Sequence, residues 1–263
     1  MHRSAAPSGR VSSPVLGTLP APVQRYFRRV LPDGRPAIKS VRAVQAGRFR
    51  SRESLDPEAG WRPFEATQLF TAEPPGFVWD ARIWMVPLLP VRVRDGYVDG
   101  RATMLGAILG LVPVVKAADD VQLRTGALQR YLAESVWFPT ALLPSHRLRW
   151  SPIDDSHARA TLTDGDTAAA LDFEFGPSGE IVGCFTSARS RAVPGNPGRF
   201  DSLPWGGRYR RYDEHDGVRI PFESEVYWVV SGREQPYYRG GNVLIDYDFA
   251  PELAEGAEIR RRS

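Results

Sequence analysis

Cysteine is almost missing from this 263-residue chain: Cys184 is its one copy. An intramolecular disulfide and a thiolate metal cluster within one chain are therefore excluded. Histidine is scarce as well, and none of the 4 copies, His2, His146, His157 and His215, stands in an HxxxH or HExxH spacing. A recognisable zinc site is absent, and no metal is expected. Long apolar runs are missing too. The most apolar stretch, residues 104–115, is broken by Gly106, Gly110 and Pro113, and it falls short of the ~20 residues a membrane-spanning helix needs. The first twenty residues hold no apolar core of a signal peptide. The expectation is a cytoplasmic protein without a transmembrane segment. Catalytic signatures are equally thin. There is no GxSxG elbow, and neither PGNPGR nor GGRYRR leads into the Lys-Ser/Thr of a phosphate loop. The catalytic residues are accordingly unknown, and no cofactor is expected.

Charge of either sign is abundant and nearly balanced, with 34 Lys and Arg against 31 Asp and Glu, a formal net charge of +3. Part of the positive excess sits towards the ends: Arg3, Arg10, Arg25, Arg28, Arg29, Arg260, Arg261 and Arg262. Without a recognition helix, a zinc-finger spacing or an RNA-binding aromatic motif, this distribution gives no reason to expect a nucleic-acid partner. The 24 Gly and 23 Pro suit a chain of many turns.

Most of the chain alternates as β-strands do. Phe77, Trp79, Ala81, Ile83 and Met85 face one way, with Val78, Asp80, Arg82 and Trp84 facing the other. Further strands are expected at residues 38–50, 64–71, 91–98, 101–109, 147–151, 157–163, 167–175, 180–188, 205–212, 218–227 and 242–249. Asp99-Gly100 and Asp216-Gly217 are hairpin signals. Residues 193–204 read as a Pro/Gly/Asn loop. Cys184 lies in an apolar run and reads as a small buried thiol.

Two helices interrupt this pattern. Residues 20–31 put Val23, Tyr26, Phe27 and Val30 on one face. Residues 125–137 put Leu128, Tyr131, Leu132 and Val136 on one stripe, with Thr125 as the expected N-cap and Pro139 ending the helix near Trp137. Short strands joined by tight turns favour antiparallel pairing. The expected fold is mainly β (α+β): a large curved antiparallel sheet or incomplete barrel, with one or two helices covering its apolar face. Residues 1–19 are expected to be disordered or loosely attached, 20–250 to form one half-barrel-like domain, and 251–263 to be a charged tail.

The segment RYLAESVWFPTALLPS, with PPGFVWDARIWMVPLLPVRVRDGYVDG before it and IPFESEVYW after it, resembles a bacterial family of uncharacterised proteins, a domain of unknown function. The resemblance runs from about Pro20 to about Tyr247. It implies no established activity and transfers no catalytic residues. The expected architecture is also similar to the lipoprotein-carrier half-barrel, an open antiparallel sheet whose helical lid shelters acyl chains. That similarity implies a ligand, an amphipathic or lipid-like small molecule, held in the concave face.

Candidate ligand-binding residues follow from charges set among apolar neighbours. Arg130 and Glu134 are i, i+4 neighbours on the second helix, able to pair on the surface or to point into a pocket. Asp80 and Arg82 stand in an otherwise apolar strand, on a wet face or as a buried pair. If they line the concavity with Arg130 and Glu134, the set can grip a polar headgroup, with Trp137, Phe138 and Trp150 as walls or as plain core. The alternatives are an enzyme that uses Glu134 or Asp80 as acid/base, and a scaffold that binds partners at an exposed sheet edge.

Overall fold

In a computed structural model, residues 16–50, 56, 58–86, 89–108, 112–117, 119–193 and 199–250 are described. The charged tail at 251–263 and the arginines at both extremes lie outside these residues. So do residues 1–15, most of the segment expected to be loosely attached; Leu16, just beyond them, is buried in the core.

The chain folds as two antiparallel meanders that share one sheet of 13 strands. The first runs outward through β1 (Ile38–Phe49), β2 (Arg62–Thr71), β3 (Gly76–Val86), β4 (Leu89–Val98), β5 (Arg101–Ile108) and β6 (Val112–Ala117) to one edge. A helix then crosses the inner face. The second meander starts at the opposite edge with β7 (Leu148–Pro152) and β8 (His157–Asp164). It returns through β9 (Thr167–Phe175), β10 (Ile181–Ala192), β11 (Phe200–His215) and β12 (Val218–Val230) to β13 (Arg233–Phe249), which pairs with β1. Every junction among paired strands is antiparallel, as the short connections require. The edges β6 and β7 do not pair with one another, so the sheet is curved but not closed. Side chains clasp its two halves instead. Tyr97 Oη on β4 donates to Asp164 Oδ2 on β8 at 2.8 Å, and Arg147 bridges Asp164 to Glu73.

Local chemistry sets the turns. Asp99 and Gly100 have φ of 50° and 74°, and Asp216 and Gly217 have 46° and 66°, the paired positive angles of a type I′ hairpin. A further turn of this kind at Ser231-Gly232 extends β12 and β13 towards each other beyond the expected ends. The loop expected at 193–204 is shorter than anticipated, because residues 200–203 pair with β10. The expected strand at 101–109 is followed by β6, hidden in the apolar run because Pro113 breaks its alternation.

Helix α1 (Ala21–Val30) begins with Pro22 in its first turn, where a missing N–H costs nothing, and ends on Arg28 and Arg29, which suit the negative end of the helix dipole. Its Val23, Tyr26, Phe27 and Val30 are buried as the spacing predicts. Helix α2 (Val121–Glu134) starts four residues before the expected cap: Asp120, not Thr125, caps it by accepting from the Leu123 N–H at 2.6 Å. It gives way to a 3-10 turn at Ser135–Trp137, and a second, Pro139–Leu142, follows. Gly126, Gln129 and Ala133 are buried as well as Leu128 and Leu132, so α2 is enclosed on more than its apolar stripe. The topology explains this, since α2 lies between the two edges of the sheet and packs on β4 and β5 on one side and β9 and β10 on the other. None of the described helices is long and apolar enough to cross a membrane.

Candidate binding site on the inner face

The inner face has an apolar end and a polar end. At the apolar end Tyr26 and Phe27 of α1, Tyr131 of α2, Phe138 between the 3-10 turns, and Phe70 and Phe77 of β2 and β3 are all at most 2% exposed, with Tyr26 packed on Phe175 and Phe138 on Phe70 and Tyr131. Trp137 is buried here, Phe138 lies 4.8 Å from Phe70 between ring centroids, and Trp150 packs on Phe173 and Phe175. The three aromatics considered as pocket walls are thus built into this core.

Further along the same strands the inner positions turn polar. Gln45 on β1, Gln68 on β2, Trp79 on β3, Asp95 on β4 and Asn242 on β13 are all buried there. Arg130 and Glu134 reach them from α2. Arg130 Nε donates to Glu134 Oε1 at 2.9 Å and Nη1 to Asp95 Oδ2 at 2.7 Å, while its guanidinium lies over Phe77 and Trp79. Gln68 Nε2 donates to Glu134 Oε2 at 2.7 Å. Trp79 Nε1 donates to Gln45 Oε1, and Gln45 Nε2 to Asn242 Oδ1. Burial pushes the Glu134 carboxyl above the usual glutamate range, outweighing the pull of Arg130 and Gln68. Burial alone would lower Arg130, but the carboxylates of Glu134 and Asp95 more than offset it and hold the guanidinium charged.

A second guanidinium, Arg189, closes this end. It lies 4.4 Å from the Trp205 ring centroid and 5.9 Å from that of Trp228. Trp228 stacks on Tyr237, whose hydroxyl accepts from Trp205 Nε1 at 3.0 Å. On α2, Gly126 lies beside the group, and a Cβ there would make only ordinary van der Waals contact with Arg189 Nη2, at 3.9 Å.

Register slips put these side chains inside. Thr186 pairs with Trp205 but Arg189 with Leu203, so three steps along β10 match two along β11. The extra residue turns Arg189 inward and leaves the Ala188 carbonyl to accept from Gln129 Nε2 at 3.1 Å. On β13, Val226 pairs with Tyr238 and Tyr227 with Pro236, which adds Tyr237 to the inner wall beside Tyr238. A third slip, where Val44 pairs with Leu244 and Gln45 with Asn242, brings Asn242 inward in place of Val243.

Of the residues singled out from sequence, Arg130 and Glu134 meet in this site. Asp80 and Arg82 do not, which corrects the expectation of one four-residue pocket. They alternate with buried Trp79, Ala81 and Ile83, and so stand on the outer face. There Arg92 and Arg94 bind Asp80 at 2.6 and 2.7 Å and hold its carboxyl down at about 2. Of the two carboxylates considered as an acid/base in an aromatic pocket, Asp80 is paired on the outer face and Glu134 lies at the inner site. The sequence reading missed Arg189, Asp95, Gln45, Asn242, Trp205 and Tyr237. Asp95 had a signal, since alternation from Val91 and Val93 sets it inward. Cys184 is buried as expected, accepting from Tyr209 Oη at 3.1 Å, and burial pushes its thiol up to about 11.

Two depressions of about 440 and 400 Å³ open on the outer face instead. The charges there are matched: Arg208 pairs with Glu225 and Glu234, and Arg239 with Glu225 and Glu58. Arg210, which also lines the first, is exposed and solvated by water. At the inner site Gln68 Oε1, Gln129 Oε1, Tyr238 Oη, Asn242 Nδ2 and Arg189 Nη1 are buried without a hydrogen-bond partner, and among the described residues Tyr26 Oη, Trp137 Nε1 and Arg35 Nε share that condition outside this site.

Among solved structures the chain is similar to a LolA-superfamily protein from Nitrosomonas europaea, at 11% identity over 89% of this chain and 96% of that one, with a TM-score of 0.44. It is also similar to a β-barrel-like protein of the domain of unknown function DUF1849 from Brucella abortus, at 11% identity over 81% and 99% of the two chains, with a TM-score of 0.25. No curated protein matches it. Residues 9–240 match the profile of a family of unknown function, DUF6544. The match spans most of the chain, and the chain belongs to the DUF6544 family.

Proposed function

We propose that this protein binds an amphipathic small molecule at the polar end of its inner face. The observation that carries this reading is the set of buried polar atoms without partners, grouped beside aromatic walls. Leaving such a group unpaired costs about 1–3 kcal/mol, so evolution for stability alone would remove it. A ligand headgroup that supplies the missing partners restores the balance. The walls suit the rest of such a molecule. Phe49, Trp228, Tyr237 and Tyr238 pack against the core yet remain partly accessible, giving an apolar lining that reaches solvent. Donors and acceptors both occur among the orphaned atoms, which fits a headgroup rather than a bare hydrocarbon.

Native mass spectrometry of the protein purified from a bacterial host, followed by solvent extraction, tests the reading. The expected result is a released amphiphile at near-stoichiometric occupancy. After extraction, titration with a single-chain amphiphile should change tryptophan emission saturably, because Trp205 and Trp228 border the site. An extracted protein with no adduct and no saturable response overturns the proposal.

A further inference from the structure

We infer that Arg189 is an anion-recognition residue, and that the molecule held on the inner face carries a carboxylate or phosphate group which this guanidinium grips. The inference rests on the binding function proposed above and names the charge of its ligand.

The argument is one of unmet charge. The polar end of the inner face holds two guanidiniums, Arg130 and Arg189, and two carboxylates, Asp95 and Glu134, but the contacts are unevenly shared. Asp95 Oδ2 and Glu134 Oε1 both bind Arg130, at 2.7 and 2.9 Å. None of the ion pairs among the described residues involves Arg189, and its Nη1 is buried with no hydrogen-bond partner. Its neighbours are the faces of Trp205 and Trp228. Aromatic faces stabilise a buried cation by only about 0.5–2 kcal/mol, well short of what the loss of water costs it. Burial, with the charge of Arg130 beside it, holds Arg189 below the usual arginine range, and the carboxylates of Asp95 and Glu134, which make their direct contacts with Arg130, offset this only in part. An anion at Arg189 removes both penalties. A neutral polar head satisfies Nη1 and leaves the charge unmet.

The backbone argues in the same direction. A regular β10 would place residue 189 outside, in water, where an arginine costs nothing. The slip between Thr186 and Arg189 brings it in. A planar guanidinium with parallel N–H groups matches both carboxylate and phosphate oxygens. Those two sources therefore share one chemistry here.

The experiment uses the full-length protein, extracted free of lipid, and three ligands of equal chain length: palmitate, 1-palmitoyl-glycerol-3-phosphate and 1-monopalmitoylglycerol. Binding is read by calorimetry and tryptophan emission. We expect at least one anionic ligand to bind more than tenfold tighter than the neutral one. Arg189→Gln should weaken that anionic ligand by roughly 10- to 100-fold, the range of a charge-assisted contact, and the neutral ligand by less than about tenfold, the range of a neutral hydrogen bond. Arg189→Lys should retain part of the preference. Tight palmitate alone identifies a carboxylate, and tight phosphate ester alone a phosphate. Equal binding of all three, insensitive to Arg189→Gln, overturns the inference and leaves the binding function standing. Binding of none overturns both. The wild-type preference decides alone if Arg189→Gln does not fold.

Discussion

The two ends of the inner face are made from the same strands and obey different rules. Around α1 the rings interlock: Phe138 lies 4.8 Å from Phe70 and 5.7 Å from Tyr131 between centroids, and Tyr26 meets Phe175 at 6.0 Å. Around Arg189 the aromatic side chains stay partly accessible, and polar atoms stand unpaired among them. Register slips occur along both, with different results: those in β10 and β13 bring Arg189, Tyr237 and Asn242 inside, while those at Ile38/Ser40 and Ile181/Gly183 leave apolar Ile38 and Ile181 buried. One end is arranged for burial. The other breaks local rules, and in a folded protein such breaks mark places that stability does not control.

The sharpest way to break this comparison is to cut one ring from each end. Phe138→Ala removes a fully buried ring from a rigid aromatic cluster and should cost about 3–5 kcal/mol in urea unfolding. Trp228→Ala removes a larger, partly accessible ring and should cost less than half of that. Equal losses would mean that the polar end is ordinary core.

The two guanidiniums offer the next contrast. Arg130→Met strands Asp95 and Glu134 in the interior, and the expected loss at neutral pH is about 3–5 kcal/mol. The loss should shrink as the pH falls and the stranded carboxylates take up protons, since a carboxyl whose folded pKa is raised favours the folded state at low pH. Arg189→Met strands nothing. It should leave the urea midpoint of the ligand-free protein unchanged or raise it slightly, while abolishing the anion preference. A loss of several kcal/mol would show that Arg189 is structural, and denaturation of both variants across pH 4–8 decides the matter.

Much of this was legible in the sequence, for a physical reason. Alternation reports burial wherever a strand is regular, so the inward set Phe77, Trp79, Ala81 and Ile83 and the outward Asp80 and Arg82 could be read directly. The Asp-Gly pairs announced their own turns, because few other residues tolerate those angles. The i, i+4 spacing brought Arg130 and Glu134 together. What escaped was whatever depends on an extra residue. Counting alternately from buried Cys184 puts Arg189 outside, and counting from Ile245 puts Val243 inside instead of Asn242; each slip reverses the parity beyond it. The start of α2 escaped for another reason. Its enclosure between two sheet edges is a tertiary fact, so burial extends past the stripe that periodicity detects, and Asp120 caps a turn that carries no stripe at all.

Asp80 gives the smallest effect and the cleanest control, because it carries a strong pairing geometry where water screens it. Arg92 and Arg94 contact it at 2.6 and 2.7 Å, yet both arginine side chains are more than half exposed. Exposed pairs of this kind contribute about 0–1 kcal/mol, so Asp80→Asn should cost under ~1 kcal/mol at pH 7 and leave ligand binding unchanged. Its pH signature is nonetheless defined. The carboxyl sits at about 2 in the folded protein against 3.8 ordinarily, so its contribution is fully present above pH 4 and is lost as the pH falls through that interval. Asp80→Asn should therefore flatten the acid limb of stability between about pH 4 and 2. Interior carboxylates freed by Arg130→Met change stability in the opposite sense. Acid titrations of the two variants separate outer-face charge from inner-face charge, and a wild-type acid limb in Asp80→Asn would remove Asp80 from that account.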